Sequence, residues 1–253
     1  MIASETFPRM NELVLWPNWF GKDWYGFNKV AFLSFLAMLI PVLIFLAAGS
    51  KYRKSLVPRG VQNIAESAVE MIEKQVIMPT MGAEGLNFLP LLLSMFLFIF
   101  VGNVFEIIPT AQFPANARMA NPVVLAALAW LVFVGVGLRH HGPKYFWDAI
   151  NPPGVPLLLK PLVMFIELIS IFILRPFSLT IRLFANMLAG HILLVTFVFL
   201  TVSVFEVALS WVLPFTFAGL VLFTGFELLV ALLQAYVFTL LTAVYISSSI
   251  HTH

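Results

Sequence analysis

The stretch from residue 161 to 200, "PLVMFIELISIFILRPFSLTIRLFANMLAGHILLVTFVFL", decides the fold class. Its only charged side chains are Glu167, Arg175 and Arg182. A membrane-crossing helix needs roughly 20 apolar residues, so this run is about twice as long as one perpendicular span. Backbone polar groups in lipid must be satisfied internally, and continuous apolar runs lack the alternation of a transmembrane β-barrel. The stretch therefore predicts membrane-spanning α-helix.

The composition of the whole chain agrees with this interpretation. Its 253 residues are 61% hydrophobic and 10% charged, with a mean hydropathy of +0.98. Soluble domains are about 45–50% apolar and about 25% charged, so the sequence predicts an all-α polytopic membrane protein. The net charge of +2 arises from few groups and gives no argument for nucleic-acid binding. The sequence has no cysteine, which excludes disulfides and thiolate chemistry, and we expect no metal or cofactor.

The apolar segments predict about five transmembrane helices and one amphipathic surface helix. The amphipathic helix is predicted because apolar residues of 60–77 recur at helical spacing while its glutamates fall on other faces. A break near Thr201–Ser203 divides the last segment into a hairpin of two long helices, which either contain extra spans or are strongly tilted. The predicted segments are an N-terminal interfacial segment at 1–28 with Trp16, Trp19 and Trp24, a first transmembrane helix at 29–49, the amphipathic helix at 60–77, two transmembrane helices within 87–139, and the hairpin at 157–250.

The distribution of basic residues predicts the orientation. Segment 51–77 carries five Lys or Arg and the linker 139–160 carries three, whereas 109–120 carries only Arg118. Basic loops stay on the cytoplasmic side of a membrane. If the spans alternate in direction, the C-terminus lies on the same side as these two loops, so we expect it on the cytoplasmic side. A bacterial plasma membrane fits the sequence best, and an organellar inner membrane is the alternative.

Arg182 is the most informative polar residue in the apolar segments. Ser178, Arg182 and Asn186 are four residues apart and share one helix face. Ionisable residues within a membrane are expensive and need a partner, yet the same helix offers no nearby carboxylate. A carboxylate on another subunit is an attractive candidate.

A histidine and a glutamate on successive helices form a second candidate group. His191 follows Arg182 by nine residues, so it points about 180° away and lies roughly 13 Å along the helix. Glu227 and Gln234 are seven residues apart and share a face of the last helix. Because small changes of environment move histidine through neutrality, we expect His191 and Glu227 to form a proton-exchanging pair.

Five further polar residues carry weaker predictions. Asn103 and Glu106 lie near the end of the second span, where Glu106 could extend to the interface. Glu206 is expected to begin the last segment as a carboxylate at a helix N-terminus. Arg175 is expected to pair with Glu167 or with lipid headgroups.

Three stretches carry a family resemblance. Residues 178–191, "SLTIRLFANMLAGH", closely resemble the signature segment of subunit a of F-type ATP synthases, in which an Arg is followed by Leu, a small residue and Asn. Residues 232–247, "LLQAYVFTLLTAVYIS", resemble the second signature, built around a Gln. Residues 96–109, "FLFIFVGNVFEIIP", resemble the segment in which an Asn and an acid precede a Pro. The resemblance extends from about residue 30 to 250.

The resemblance implies a function. Subunit a is the non-catalytic stator channel of the membrane sector, with two aqueous half-channels that lead to and from the carboxylates of the c-subunit ring. It implies that Arg182 promotes deprotonation of those carboxylates and blocks a direct proton leak. Asn186, His191, Glu227 and Gln234 then belong to the proton path. The hairpin is implied to be two tilted helices against the c-ring, and the further partners are peripheral-stalk b-type subunits, the rest of the synthase and the bilayer.

Two other functions compete with this interpretation. A secondary transporter could use Arg182 to bind an anionic substrate, although the sequence shows no internal repeat of the kind common in such folds. An intramembrane aspartyl protease is disfavoured because Asp23 and Asp148, the only aspartates, lie outside the spans. No H-E-x-x-H or G-x-S-x-G motif occurs. The two histidines in "RHHG" at 139–142 are better explained as interfacial residues than as metal ligands.

Overall fold

The computed structural model describes residues 18–20, 27–52, 60–108, 114–151, 155–156, 158–206 and 211–251. Trp16 and Trp24 of the predicted interfacial segment lie outside these residues. The described chain begins with two short antiparallel strands, β1 (Asn18–Phe20) and β2 (Phe27–Asn28). Asn28 then caps the first helix, because its side-chain Oδ1 accepts a hydrogen bond from the Ala31 backbone N–H at 3.0 Å.

Nine α-helices make up most of the described chain. Prolines lie in the first turn of α4, α7 and α9, where a missing backbone N–H costs nothing. Two π-helical turns interrupt the regular helix, at Glu73–Ile77 and Ser170–Leu174. The helices are α1 (Lys29–Tyr52), α2 (Val61–Ile72), α3 (Met78–Met81), α4 (Leu89–Val104), α5 (Ala120–His141), α6 (Tyr145–Ile150), α7 (Lys160–Ile169), α8 (Arg175–Glu206) and α9 (Leu213–Ile250).

Five helical stretches are long and apolar enough to cross a membrane. Their outer surfaces carry large exposed apolar side chains, such as Leu46 at 65% and Leu222 at 72% exposure. A continuous apolar exterior is the surface that lipid requires. The prediction of an all-α membrane protein is therefore confirmed. The stretches are Lys29–Ser50, Val61–Val104, Ala120–Ile150, Lys160–Phe205 and Leu213–Ile250.

The amphipathic helix α2 packs against α1 and continues toward α4. Its buried face includes Ala65 and Ile72, as the helical spacing of apolar residues predicts. Two positions differ from that pattern. Ile64 is 62% exposed, whereas Gln62 is buried and donates from Nε2 to Glu66 Oε1 at 2.8 Å. Gln62 can be buried because its amide finds this partner one turn along the helix.

The last helix, α9, lies at the centre of the bundle against α4, α5 and α8. Each of these helices contributes fully buried side chains, among them Ile99, Phe133, Leu183 and Phe238. The polar residues described below lie on the same contact surfaces, so the core of the bundle and the candidate site are continuous.

The break between the two long helices comes later than the sequence predicted. Thr201 remains within α8 and donates its hydroxyl to the Phe197 carbonyl at 2.7 Å, so it does not end the helix. Glu206 is the last residue of α8 and does not begin the next helix, which corrects its predicted place. The Glu206 side chain lies outside the part of the chain that the structure describes. The following helix starts at Leu213, next to Pro214.

Candidate functional site

Two carboxylates and one imidazole form a buried cluster between α8, α9 and the end of α4. Glu106, His191 and Glu227 are each only 4% exposed. His191 Nδ1 lies 3.5 Å from Glu106 Oε1. Glu106 is therefore enclosed by protein, whereas the expected extension toward the interface would leave its carboxylate on the surface of the bundle. The residue joins the cluster because the turn after α4, Phe105–Ile107, folds it back toward α8.

Glu227 reaches the cluster across a gap that Gly190 leaves on α8. A Cβ built on Gly190 would lie 2.4–2.6 Å from the carboxylate atoms of Glu227. A side chain at that position would force the carboxylate to move, so the missing side chain of Gly190 admits the carboxylate to the helix surface. Glu227 is close enough to both Glu106 and His191 to interact electrostatically with each. The sequence-based pair of His191 and Glu227 is thus a group of three with Glu106.

Such a cluster can hold and exchange protons. Burial of an isolated charge is expensive, so groups of this kind share charge by pairing or by protonation. An imidazole can change protonation near neutral pH, and carboxylates on either side can accept or return its proton. One oxygen of Glu227, Oε2, is buried without a hydrogen-bond partner among the described residues, which leaves it open to a proton or a water.

A polar bridge, which is a hydrogen bond between the side-chain amides of Asn186 and Gln234, connects α8 and α9. Asn186 donates from Nδ2 to Gln234 Oε1 at 2.9 Å. Gln234 is 4% exposed, and within the described chain its Nε2 has no hydrogen-bond partner. The bridge places both predicted amides at the contact between the two long helices.

Arg182 lies one turn before this bridge and is exposed. Among the residues that the structure describes, no carboxylate lies within ion-pair distance of its guanidinium. The Ser178 hydroxyl, which shares this face, donates to the Arg175 carbonyl at 3.1 Å. Arg182 therefore presents its charge outward from α8, whereas His191 points into the protein.

Arg175 has partners other than the predicted Glu167. Its Nη1 donates to Ser248 Oγ at 3.3 Å, and its guanidinium lies over the ring of Tyr245 at 5.0 Å. A second ring, Phe133, lies at 5.9 Å. Glu167 is half-buried on α7 and forms no ion pair with Arg175 in the described structure. The eight-residue separation spans the π turn, which alters the spacing assumed for a regular helix.

Asn116 is a buried residue that the sequence analysis missed. Its Nδ2 donates to Asn103 Oδ1 at 2.8 Å, and both residues are at most 1% exposed. Asn103 therefore serves the bundle through this amide pair, next to the turn that carries Glu106. The signal in the sequence was slight, a lone Asn in the connection "PANAR" at 114–118.

Within the described part of the chain, no three His, Cys, Asp or Glu side chains are placed so that they could hold a metal ion together.

Comparison with known proteins assigns the family. Residues 31–247 match the model of the family described as ATP synthase A chain. The chain is 39% identical to ATP synthase subunit a of Frankia alni over 98% of this chain and 88% of that protein. It is 46% identical to ATP synthase subunit a of Rhodococcus erythropolis over 90% and 84% of the two chains. For Bradyrhizobium diazoefficiens the corresponding values are 42%, 91% and 91%. The chain therefore belongs to the ATP synthase subunit a family, the proton-channel component of the membrane Fo sector.

Proposed function

We propose that this chain couples proton flow to rotation by dividing two tasks between opposite faces of α8. The outer face presents Arg182 to a carboxylate of the c-subunit ring. The inner face carries His191, which exchanges protons with Glu106 and Glu227. Two half-channels then meet at the level of Arg182, one leading to the buried cluster and one to the other side of the membrane.

This proposal is carried by the guanidinium of Arg182, which is exposed and has no ion-pair partner among the described residues. A lone arginine in an apolar helix is expensive, so its place in the sequence requires a partner that the described chain does not supply. A mid-membrane carboxylate on a rotor subunit is a partner of the right charge. Arginine stays protonated, so it favours the ionised form of that carboxylate and releases the proton. Its fixed charge also repels protons that would cross directly.

The buried cluster supports an access route on one side of Arg182. His191 lies nine residues beyond Arg182, about 13 Å along α8. Glu106 approaches it from the turn after α4, and Glu227 approaches it from α9. A proton entering at this cluster would pass along the polar contact toward Gln234 and Asn186 before reaching the rotor. Each charge driven this way gains about 2.3 kcal/mol per 100 mV of membrane potential.

The wider assembly follows from the same proposal. The c-ring would contact the exposed face of α8 and α9, and the hairpin would be tilted, because at 1.5 Å per residue the 38 residues of α9 extend about 57 Å. Peripheral-stalk b-type subunits would bind elsewhere on the chain. The C-terminus would face the cytoplasm of a bacterium, in keeping with the bacterial relatives.

The test replaces Arg182 in the assembled synthase. We expect Arg182→Ala to abolish ATP synthesis driven by an imposed proton gradient in inverted vesicles, while ATP hydrolysis by the soluble sector survives. Arg139→Ala is the matched control, because Arg139 is an exposed arginine at the end of α5. Synthesis by Arg182→Ala at the rate of the control would contradict the proposal.

A further inference from the structure

The π turn before Arg182 leaves the Ile171 carbonyl without a donor from its own helix. The Arg175 N–H bonds to the Ser170 carbonyl, five residues back. The Ile171 carbonyl thereby loses the donor that it would have in a regular α-helix. In π-helical spacing its donor would be residue 176, but Pro176 has no N–H. A buried carbonyl without a donor is costly, so it requires a partner from outside the helix.

Trp130 of α5 supplies that donor. Its indole Nε1–H donates to the Ile171 carbonyl at 3.2 Å, and Ile171 is 4% exposed. The indole also meets the Phe172 ring edge-on, with 5.9 Å between the ring centroids. The Phe146 ring stacks on the same Phe172 ring, also with 5.9 Å between centroids. The π turn is therefore held both by a hydrogen bond and by aromatic packing from α5 and α6.

The other π turn has a related arrangement, although the carbonyl concerned is one residue further along the turn. At Glu73–Ile77 the Met78 N–H bonds to the Glu73 carbonyl, and Pro79 follows two residues after the turn, as Pro176 does after Leu174. The Gln75 carbonyl would take its regular donor from Pro79, which has none. The hydroxyl of Tyr236 on α9 donates to this carbonyl at 3.4 Å. In both places a proline removes a donor and a side chain of a neighbouring helix replaces it.

The extra residue of a π turn sets the rotation of the following helix about its axis, and so the direction in which its side chains face. If the turn reverted to regular α-helix, the residues beyond it would rotate by about 100° relative to α7. Arg182 lies only two turns beyond the π turn, and π turns occur often at functional sites. We propose that Trp130 is a positioning residue, which holds the π turn through the Ile171 carbonyl and so fixes the direction that Arg182 faces. This inference rests on the proposed function of Arg182.

The test removes the indole donor and then restores a donor by another route. Trp130→Phe keeps an aromatic ring against Phe172 but loses the N–H, and we expect gradient-driven ATP synthesis in inverted vesicles to fall about tenfold. Trp130→His restores a ring N–H at the position of the indole Nε1–H, because histidine Nε2 occupies the same place in the ring, and we expect it to recover part of the loss. Trp147→Phe is the matched control, since Trp147 is 62% exposed and, in the described structure, its indole makes no hydrogen bond to the turn, and it should retain wild-type synthesis.

A distance measurement separates this inference from the proposed function. The chain has no cysteine, so cysteines introduced at exposed Val124 on α5 and exposed Phe177 on α8 can carry the only spin labels in this subunit. A rotation of about 100° on a helix of roughly 5–6 Å radius moves a label by up to about 8 Å. We expect the label distance in the intact complex to change with Trp130→Phe and to change less with Trp130→His.

Each result decides one of the two ideas. An unchanged label distance in Trp130→Phe would overturn the positioning role, whatever the rate of synthesis. A changed distance with full synthesis in Trp130→Phe would also overturn it, because the rotation would then leave the coupling intact. Failure of the Arg182 proposal would instead appear as normal synthesis in Arg182→Ala.

Discussion

Substitution of Gly190 by alanine tests the geometry of the buried cluster. The added Cβ would lie 2.4–2.6 Å from the Glu227 carboxylate, and the closest of these distances is to Oε2. Ordinary contact begins near 3.4 Å, so the carboxylate must retreat by about 1 Å. Glu227 is 4% exposed and has little room in which to move. Because the obstacle is the end of a flexible side chain, the substitution displaces the carboxylate while α8 and α9 stay paired.

The magnitude follows from this displacement. A misplacement of about 1 Å in a reacting group can cost roughly 100-fold in rate, whereas overpacking costs about 1–3 kcal/mol of stability. We therefore expect Gly190→Ala to slow gradient-driven ATP synthesis by between about 10-fold and 100-fold. The amount of assembled complex in the membrane should change little.

The assay compares Gly190→Ala with two further variants in the same inverted vesicles. Gly225→Ala is the matched control, because a Cβ at Gly225 meets no described atom within 4 Å. Glu227→Asp shortens the acid by one methylene, so it should restore part of the activity when combined with Gly190→Ala. Equal rates of synthesis in Gly190→Ala and Gly225→Ala would refute the argument that Gly190 makes room for Glu227.

Two further predictions concern neighbouring contacts. Glu106→Gln and Glu227→Gln should each slow proton flux into vesicles. Because both acids interact with His191, the rate of flux in the double variant should fall by less than the product of the two single effects. Strictly independent losses would contradict a shared cluster. Asn116→Leu should lower the free energy of unfolding by about 1–3 kcal/mol, since the buried Asn103 Oδ1 loses its donor. An unchanged thermal unfolding midpoint in detergent would contradict the stabilising role of this amide pair.

Hydrophobic patterning was sufficient to predict the fold class. Long continuous apolar runs can only be helices in lipid, and this requirement does not depend on neighbouring helices. The spacing of Ser178, Arg182 and Asn186 likewise follows from helix geometry alone. The end of α8 was harder to predict, because Thr201 and Ser203 resemble a turn while a threonine hydroxyl can bond back to its own helix.

Contacts between distant parts of the chain could not be read from periodicity. His191 and Glu106 are 85 positions apart, and only the turn after α4 brings them together. The π turn at Ser170–Leu174 also escaped prediction, since its stability depends on Trp130 of another helix. Of the two partners expected for Arg175, Glu167 or lipid headgroups, Glu167 forms no ion pair with it in the described structure, because that expectation assumed regular helix between the two residues.

The buried amide pair restricts how the connection before α5 can vary. Surface loops ordinarily tolerate insertions at little thermodynamic cost. Here Asn116 donates a hydrogen bond to Asn103. Asn121 donates to Ser34 Oγ at 2.7 Å and to the Ala115 carbonyl at 2.8 Å. An added residue between Asn116 and Asn121 would have to break one of these attachments. As this sequence diverges, we therefore expect the length of this short connection to vary less than the identity of most of its side chains.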